Sequence, residues 1–177
     1  MSYQRRVRIH SGKRDLARFP QEDEALVQRL AQYGRDALEK GLPRPAILVL
    51  KSEQVMQYDL PALLAPERSL TSPILAAISG QDGVECMALV GTLRMRSGRR
   101  SEPMQVITVF VEWPDNRWSM SWQGLDSKRN LVGDGPILRS AIDGWPRPTG
   151  LGGWFSRARR EGLRLRVARS EPDVQVH

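Results

Sequence analysis

The sequence predicts an α+β domain, a mostly antiparallel sheet of about five strands with helices packed against it. Three observations point there. A strong helical period runs near the N-terminus. Three apolar, β-branched segments over 83–123, parted by turn residues, read as a three-stranded meander. The elements follow in the order helix, two strands, helix, three strands, helix. With 177 residues, the chain is long enough to bury a real core. It divides into a basic arm over 1–20, one α+β domain over 21–145, and a linker plus basic amphipathic extension over 146–177.

Residues 1–20 lack a clear period, and "RRVRI" reads as a short strand or a loose arm. The first firm element is a helix over about 21–40. Glu22, Asp23 and Glu24 fill its first turn, where negative charge suits the helix dipole. Leu26, Leu30, Tyr33 and Ala37 recur at helical spacing, and Gly41 and Pro43 end the run. "PAILVLK" at 45–51 is apolar on both faces and predicts a covered strand, with "EQVMQYD" at 53–59 as its partner. "LPALLAPERSL" is a short helix or a turn broken by Pro61 and Pro66. "TSPILAAISG" has Ser72 as N-cap, Pro73 at the first helical position and Gly80 at the end, which predicts a compact helix.

The segments 83–96, 103–113 and 117–123 are the meander strands. "DGPILRSAIDGW" at 134–145 repeats the logic of 71–80, with a cap, Pro136 and then Ile137, Leu138, Ala141 and Ile142; it predicts a last helix. "PRPTGLGG" is linker-like, "WFSRARREG" predicts two helical turns, and "SEPDVQVH" is a tail. "LRLRVAR" alternates Leu163, Leu165 and Val167 with Arg164 and Arg166, a strand with one apolar and one cationic face. That face needs a home, on an edge of the same sheet or on another subunit.

Three of the five tryptophans fall in the hairpin over 107–124. With Asp115–Asn116 as a two-residue turn, Trp113 faces Trp118, Val111 faces Met120 and Val109 faces Trp122. That register gathers the tryptophans on one apolar face, with Trp122 deep and the Trp113–Trp118 pair at the rim. Thr108, Glu112, Ser119, Ser121 and Gln123 take the opposite, open polar face.

The net charge of +7 is carried by the ends. Residues 1–20 hold six basic groups against one acidic, residues 147–177 seven against three, and the middle fourteen against sixteen. Basic ends on a near-neutral body suggest anionic partners or solubilising tails. Cys86 is the one cysteine, in an apolar run, and reads as a buried, inert thiol with no disulfide open to it. The two histidines, His10 and His177, lie in the terminal arms, and no Cys/His spacing suits zinc. No phosphate loop, dinucleotide fingerprint or nucleophile elbow occurs, so no cofactor or metal is expected. No apolar run reaches membrane-span length, and the basic start has no apolar stretch behind it, which predicts a cytosolic chain.

The leading functional expectation is a non-enzymatic interaction or assembly protein, bound to a protein partner or a second copy through the basic ends and the hairpin end. The residues expected to meet the partner are Trp113, Trp118, Trp154, Phe155, Arg164 and Arg166. The alternative is nucleic-acid binding through Arg5, Arg6, Arg8, Lys13, Arg14, Arg157, Arg159 and Arg160, with Trp154 and Phe155 available to stack. A further alternative is an enzyme whose carboxylates, drawn from Glu112, Asp115, Asp126, Asp134 and Asp143, converge near the meander.

Overall fold

A computed structural model of the chain describes residues 9–12, 23–41, 44–51, 54–60, 70, 73–96, 99, 101–167 and 174–176. It shows an α+β fold built on a seven-stranded sheet, every neighbouring pair antiparallel. The strands are β1 (Ile9–Gly12), β2 (Ala46–Lys51), β3 (Gln54–Asp59), β4 (Val84–Met95), β5 (Met104–Glu112), β6 (Trp118–Leu125) and β7 (Leu131–Ser140), in the spatial order β1-β3-β2-β4-β5-β6-β7. Helix α1 (Asp23–Leu38) covers one face; α2 (Pro73–Ser79) and α3 (Trp154–Glu161) cover the other. No helix among the described residues is long and apolar enough to cross a membrane.

Burial on both faces explains the near-continuous apolar runs of the central strands. Leu48, Leu50, Cys86, Ala88, Val90, Val109 and Val111 point at α1, where Leu26, Val27 and Leu30 meet them. Their neighbours Ile47, Val49, Met87, Leu89, Phe110 and Met120 point the other way, onto Leu75 and Ile78 of α2. The two-residue period of the strands therefore feeds two cores, and each fully buried aliphatic side chain contributes roughly 1.5–3 kcal/mol.

The strand count is close to the expected five or so: the sheet has seven, with β1 and β7 adding an edge each. Three expectations are corrected. The helix expected over 134–145 is strand β7 and a turn. Strand β6 needs a partner along its outer side, and Ala141 N–H donates to Trp118 O at 3.1 Å as Ser140, Arg139, Leu138 and Ile137 pair with 119–122. That sheet demand overrides a local capping pattern. The run also carries a bulge. Between Trp122↔Ile137 and Gly124↔Val132, β6 advances two residues and β7 five, with Gly133 and Gly135 at φ 89° and 147° in the excess.

The second correction is the hairpin register. The loop is three residues, Pro114–Asp115–Asn116, with Trp113 N–H donating to Arg117 O and Asn116 N–H to Trp113 O, both at 3.0 Å. Asn116 takes the left-handed conformation, φ 67°, that closes such a loop. Glu112 thus pairs with Trp118, Phe110 with Met120 and Thr108 with Trp122. One extra loop residue flips one strand relative to the other. Trp113 lies with the α1-side core, while Trp118 and Trp122 lie with the α2/α3-side core. The expected open polar face does not exist. Ser119, Ser121 and Gln123 are buried on the α1 side, where small or slender side chains let the helix approach, and Glu112 is buried on the other.

The third correction concerns the C-terminal segment. Among the described residues, strand β8 (Leu165–Val167) forms a two-stranded sheet with β9 (Val174–Val176), apart from the main sheet and inside the segment expected to be a tail. The stretch after Trp145 is built into the body as far as α3, since Leu151, Trp154 and Phe155 belong to the core beneath α2. "LPALLAPERSL" lies almost wholly outside the described residues.

Candidate functional site

The aromatic residues expected to meet a partner are inside. Trp154 is 1 % exposed, its indole N–H donates to Leu70 O at 2.6 Å, and its ring meets Phe110 edge-on at 5.5 Å. Trp118 stacks on Phe110 at 6.1 Å, and Phe155 is buried beside α2. Trp113 is buried against Val109 and Val111, with the Arg117 guanidinium 5.4 Å from its ring.

Glu112 is fully buried, and its environment explains why. Helix α3 begins at Trp154 behind Gly153, which has no side chain to cap the first turn. The Glu112 carboxylate reaches across from β5 and does that work. Its Oε1 accepts from Gly153 N–H at 2.8 Å and its Oε2 from Trp154 N–H at 3.0 Å. Arg147 Nη1 stands 3.4 Å from Oε1. A carboxylate at a helix N-terminus satisfies orphan donors and suits the dipole. Burial nonetheless dominates and pushes its pKa above the usual glutamate value, opposed by the two backbone N–H groups and by Arg147 and Arg159. Both oxygens face the chain's own donors, so Glu112 holds the structure together.

The other carboxylates do not converge with it. Asp115 accepts from Arg117 within the hairpin loop. Asp126 accepts from the N–H groups of Lys128 and Asn130, both at 2.8 Å, closing the β6–β7 loop. Asp143 accepts from Ser140 Oγ, and Asp134 is exposed in the β7 bulge.

The cationic residues of α3 are largely engaged at home. Arg157 and Arg160 both reach Glu161, at 3.0 and 3.3 Å. Arg159 donates to Pro114 O at 2.6 Å and Asn116 Oδ1 at 3.0 Å, tying the helix to the hairpin loop. Arg164 lies 3.8 Å from Asp82 at the rim of a cavity of about 460 Å³ between α2 and α3. Arg166 falls in β8, opposite Gln175. Arg5, Arg6, Arg8, Lys13 and Arg14 lie outside the described residues.

The surface itself points elsewhere. The large hydrophobic side chains exposed among the described residues are Met104, Leu131, Val132, Ile137, Ile142 and Trp145. All but Met104 fall on β7, an edge of the sheet, or in the residues just after it. Met104 joins them in space, since a groove of about 510 Å³ is lined by Met104, Trp122, Gly124, Val132, Pro136 and Ile137. Next to it, the Arg139 guanidinium lies 4.4 Å from the Trp145 ring and 6.0 Å from that of Trp122, a cation held between two aromatic faces. Ile142 is 79 % exposed and Trp145 52 %. Sequence reasoning missed this surface because it assigned Ile137 and Ile142 to the inner face of a helix. The usable signal was the Gly–Asp–Gly–Pro interruption at 133–136, which suits an edge bulge.

No protein-family model, curated protein or solved structure matches this chain.

Proposed function

We propose that this protein is a non-enzymatic interaction or assembly protein that meets a protein partner through β7 and the turn after it. The observation that carries the reading is the gathering of exposed large hydrophobics on one sheet edge. A contiguous apolar patch on a folded surface marks a contact site, and a tryptophan stacked on arginine is the composition of an interface anchor. The contact surface moves here from the Trp113–Trp118 hairpin end, because those rings are consumed by the two cores. The Arg-rich chain ends would add an electrostatic contribution, worth more in on-rate than in affinity.

The test pairs Ile142→Asp with Trp145→Ala, both at exposed positions. Light scattering and co-purification from native lysate at low salt should show an association that these variants weaken while the far-ultraviolet spectrum stays unchanged. A strict monomer that retains no protein even at low salt contradicts the reading.

Clustered charge at the chain ends favours a second reading, nucleic-acid binding through the Arg-rich segments. It predicts binding that falls steeply with salt and a flatter slope on replacing Arg5, Arg6 and Arg8, or Arg157 and Arg160, by glutamine. No shift of DNA or RNA at about 50 mM salt rules it out.

A further inference from the structure

We infer that the partner on this edge is a second copy of the chain, with the two β7 strands paired antiparallel about a two-fold axis at Leu138. The inference rests on the reading of β7 as a contact surface and adds the identity of the occupant.

The backbone gives the first ground. Ala141 N–H donates to Trp118 O, so in an antiparallel ladder the alternate residues Arg139 and Ile137 also aim their main-chain groups at β6. Leu138 and Ser140 then aim theirs outward, and no strand among the described residues takes them up, because β7 ends the strand order. The Leu138 carbonyl accepts from the Arg139 guanidinium of the same chain, at 3.0 Å, and a carbonyl oxygen has a second lone pair to offer. Pro136 has no N–H and the bulge breaks the ladder, so the stretch open to pairing is short, over 137–140. A short edge ladder needs apolar help, which Val132, Ile137 and Ile142 supply.

Symmetry and charge then choose the register. Hydrogen-bonded pairing requires outward residues to meet outward residues. Two centred registers remain, Leu138 opposite Ser140 or Leu138 opposite its own copy. The first sets Arg139 directly against Arg139 of the other copy, a destabilising like-charge pair. The second sets Arg139 against Ile137 of the other copy and puts Leu138 on the axis. A two-fold arrangement is also the commonest closed symmetry, and it uses the same patch on both subunits. Within 131–143 the charged residues are Asp134, Arg139 and Asp143, so the chain's net +7 is not concentrated on this strand.

Cross-linking and charge variants of the full chain test this. Residues opposite each other in a hydrogen-bonded pair have Cα atoms about 5.5 Å apart, within the range a disulfide spans. Leu138→Cys should close a disulfide-linked dimer under mild oxidation. Ser140→Cys should not, since its copy lies four residues along the partner strand, about 14 Å away. The buried Cys86 leaves the wild type as a clean control. Ile137→Glu, facing Arg139 of the other copy, should keep the dimer, and Ile137→Lys should shift light scattering and sedimentation to monomer. Ile137 is 44 % exposed, so both variants can fold. The inference is overturned by a wild type that stays monomeric at all concentrations, by equal cross-linking at 138 and 140, or by Glu and Lys at 137 acting alike. A monomer that still binds another protein, and loses it with Ile142→Asp, removes the second copy and leaves the contact-surface reading standing.

Discussion

Replacing Glu112 by alanine is expected to destabilise the protein by about 2–4 kcal/mol at neutral pH. The magnitude follows from the groups it leaves behind. Gly153 N–H and Trp154 N–H, at 2.8 and 3.0 Å, lose their acceptors. Each buried donor left unsatisfied costs about 1–3 kcal/mol. The start of α3 also loses a negative charge at its positive end, about 0.3–1 kcal/mol. Relief from burying a carboxylate, whose pKa is raised mainly by desolvation, works in the opposite direction and trims the total. Urea unfolding followed by tryptophan fluorescence measures the difference, because Trp154 is buried one residue past the cap. Hydrogen exchange at 153–157 should rise more than elsewhere, as the first turn of α3 opens. An alanine variant as stable as the wild type, or more so, would refute the reasoning: the buried charge would then cost more than its hydrogen bonds return.

Other outcomes follow from the same geometry. Because Glu112 titrates above its ordinary value when folded, the folded chain binds the extra proton in the window between the two values. Stability should therefore fall as pH rises through that window, and Glu112→Gln should flatten the fall; urea midpoints measured from acid to neutral pH check this. Gly152 sits at φ 75°, and a Cβ there would meet Phe110 Cζ at 2.7 Å, so Gly152→Ala should destabilise by about 2 kcal/mol or more in the same assay. Asn116→Ala loses both a residue suited to the left-handed turn and the contact to Arg159, and should cost about 1 kcal/mol; Asn116→Gly should cost less. Ile142→Asp, at an exposed turn, should leave folding stability within about 0.5 kcal/mol while weakening association.

The central fold was legible where one signal dominated. The α1 stripe of Leu26, Val27 and Leu30 and the apolar runs of β2, β4 and β5 occur as the sequence pattern predicts. Elements were misread where tertiary context reversed a local rule. "PIL" after a capping residue makes a helix at 73 and a strand at 136, because only the second must complete an open edge of the sheet. The tryptophan hairpin shows how little separates two readings. A loop longer by one residue moves Glu112 from a solvent-facing row to the core and parts Trp113 from Trp118. Nothing local to Glu112 marks it as a cap, since the helix it serves begins 42 residues later. The β7 surface was hidden for the same reason as β7 itself: exposure of Ile137, Ile142 and Trp145 depends on which side of the sheet remains uncovered.

The most direct measurement is hydrogen exchange of the segment 131–145 with the protein dilute and then concentrated. Association through β7 predicts that the outward amides of Leu138 and Ser140 gain protection as complexes form, while α3 and the hairpin loop over 114–116 do not change. Complexes that form with 131–145 exchanging as fast as in the dilute protein, and protection appearing elsewhere, would contradict the account.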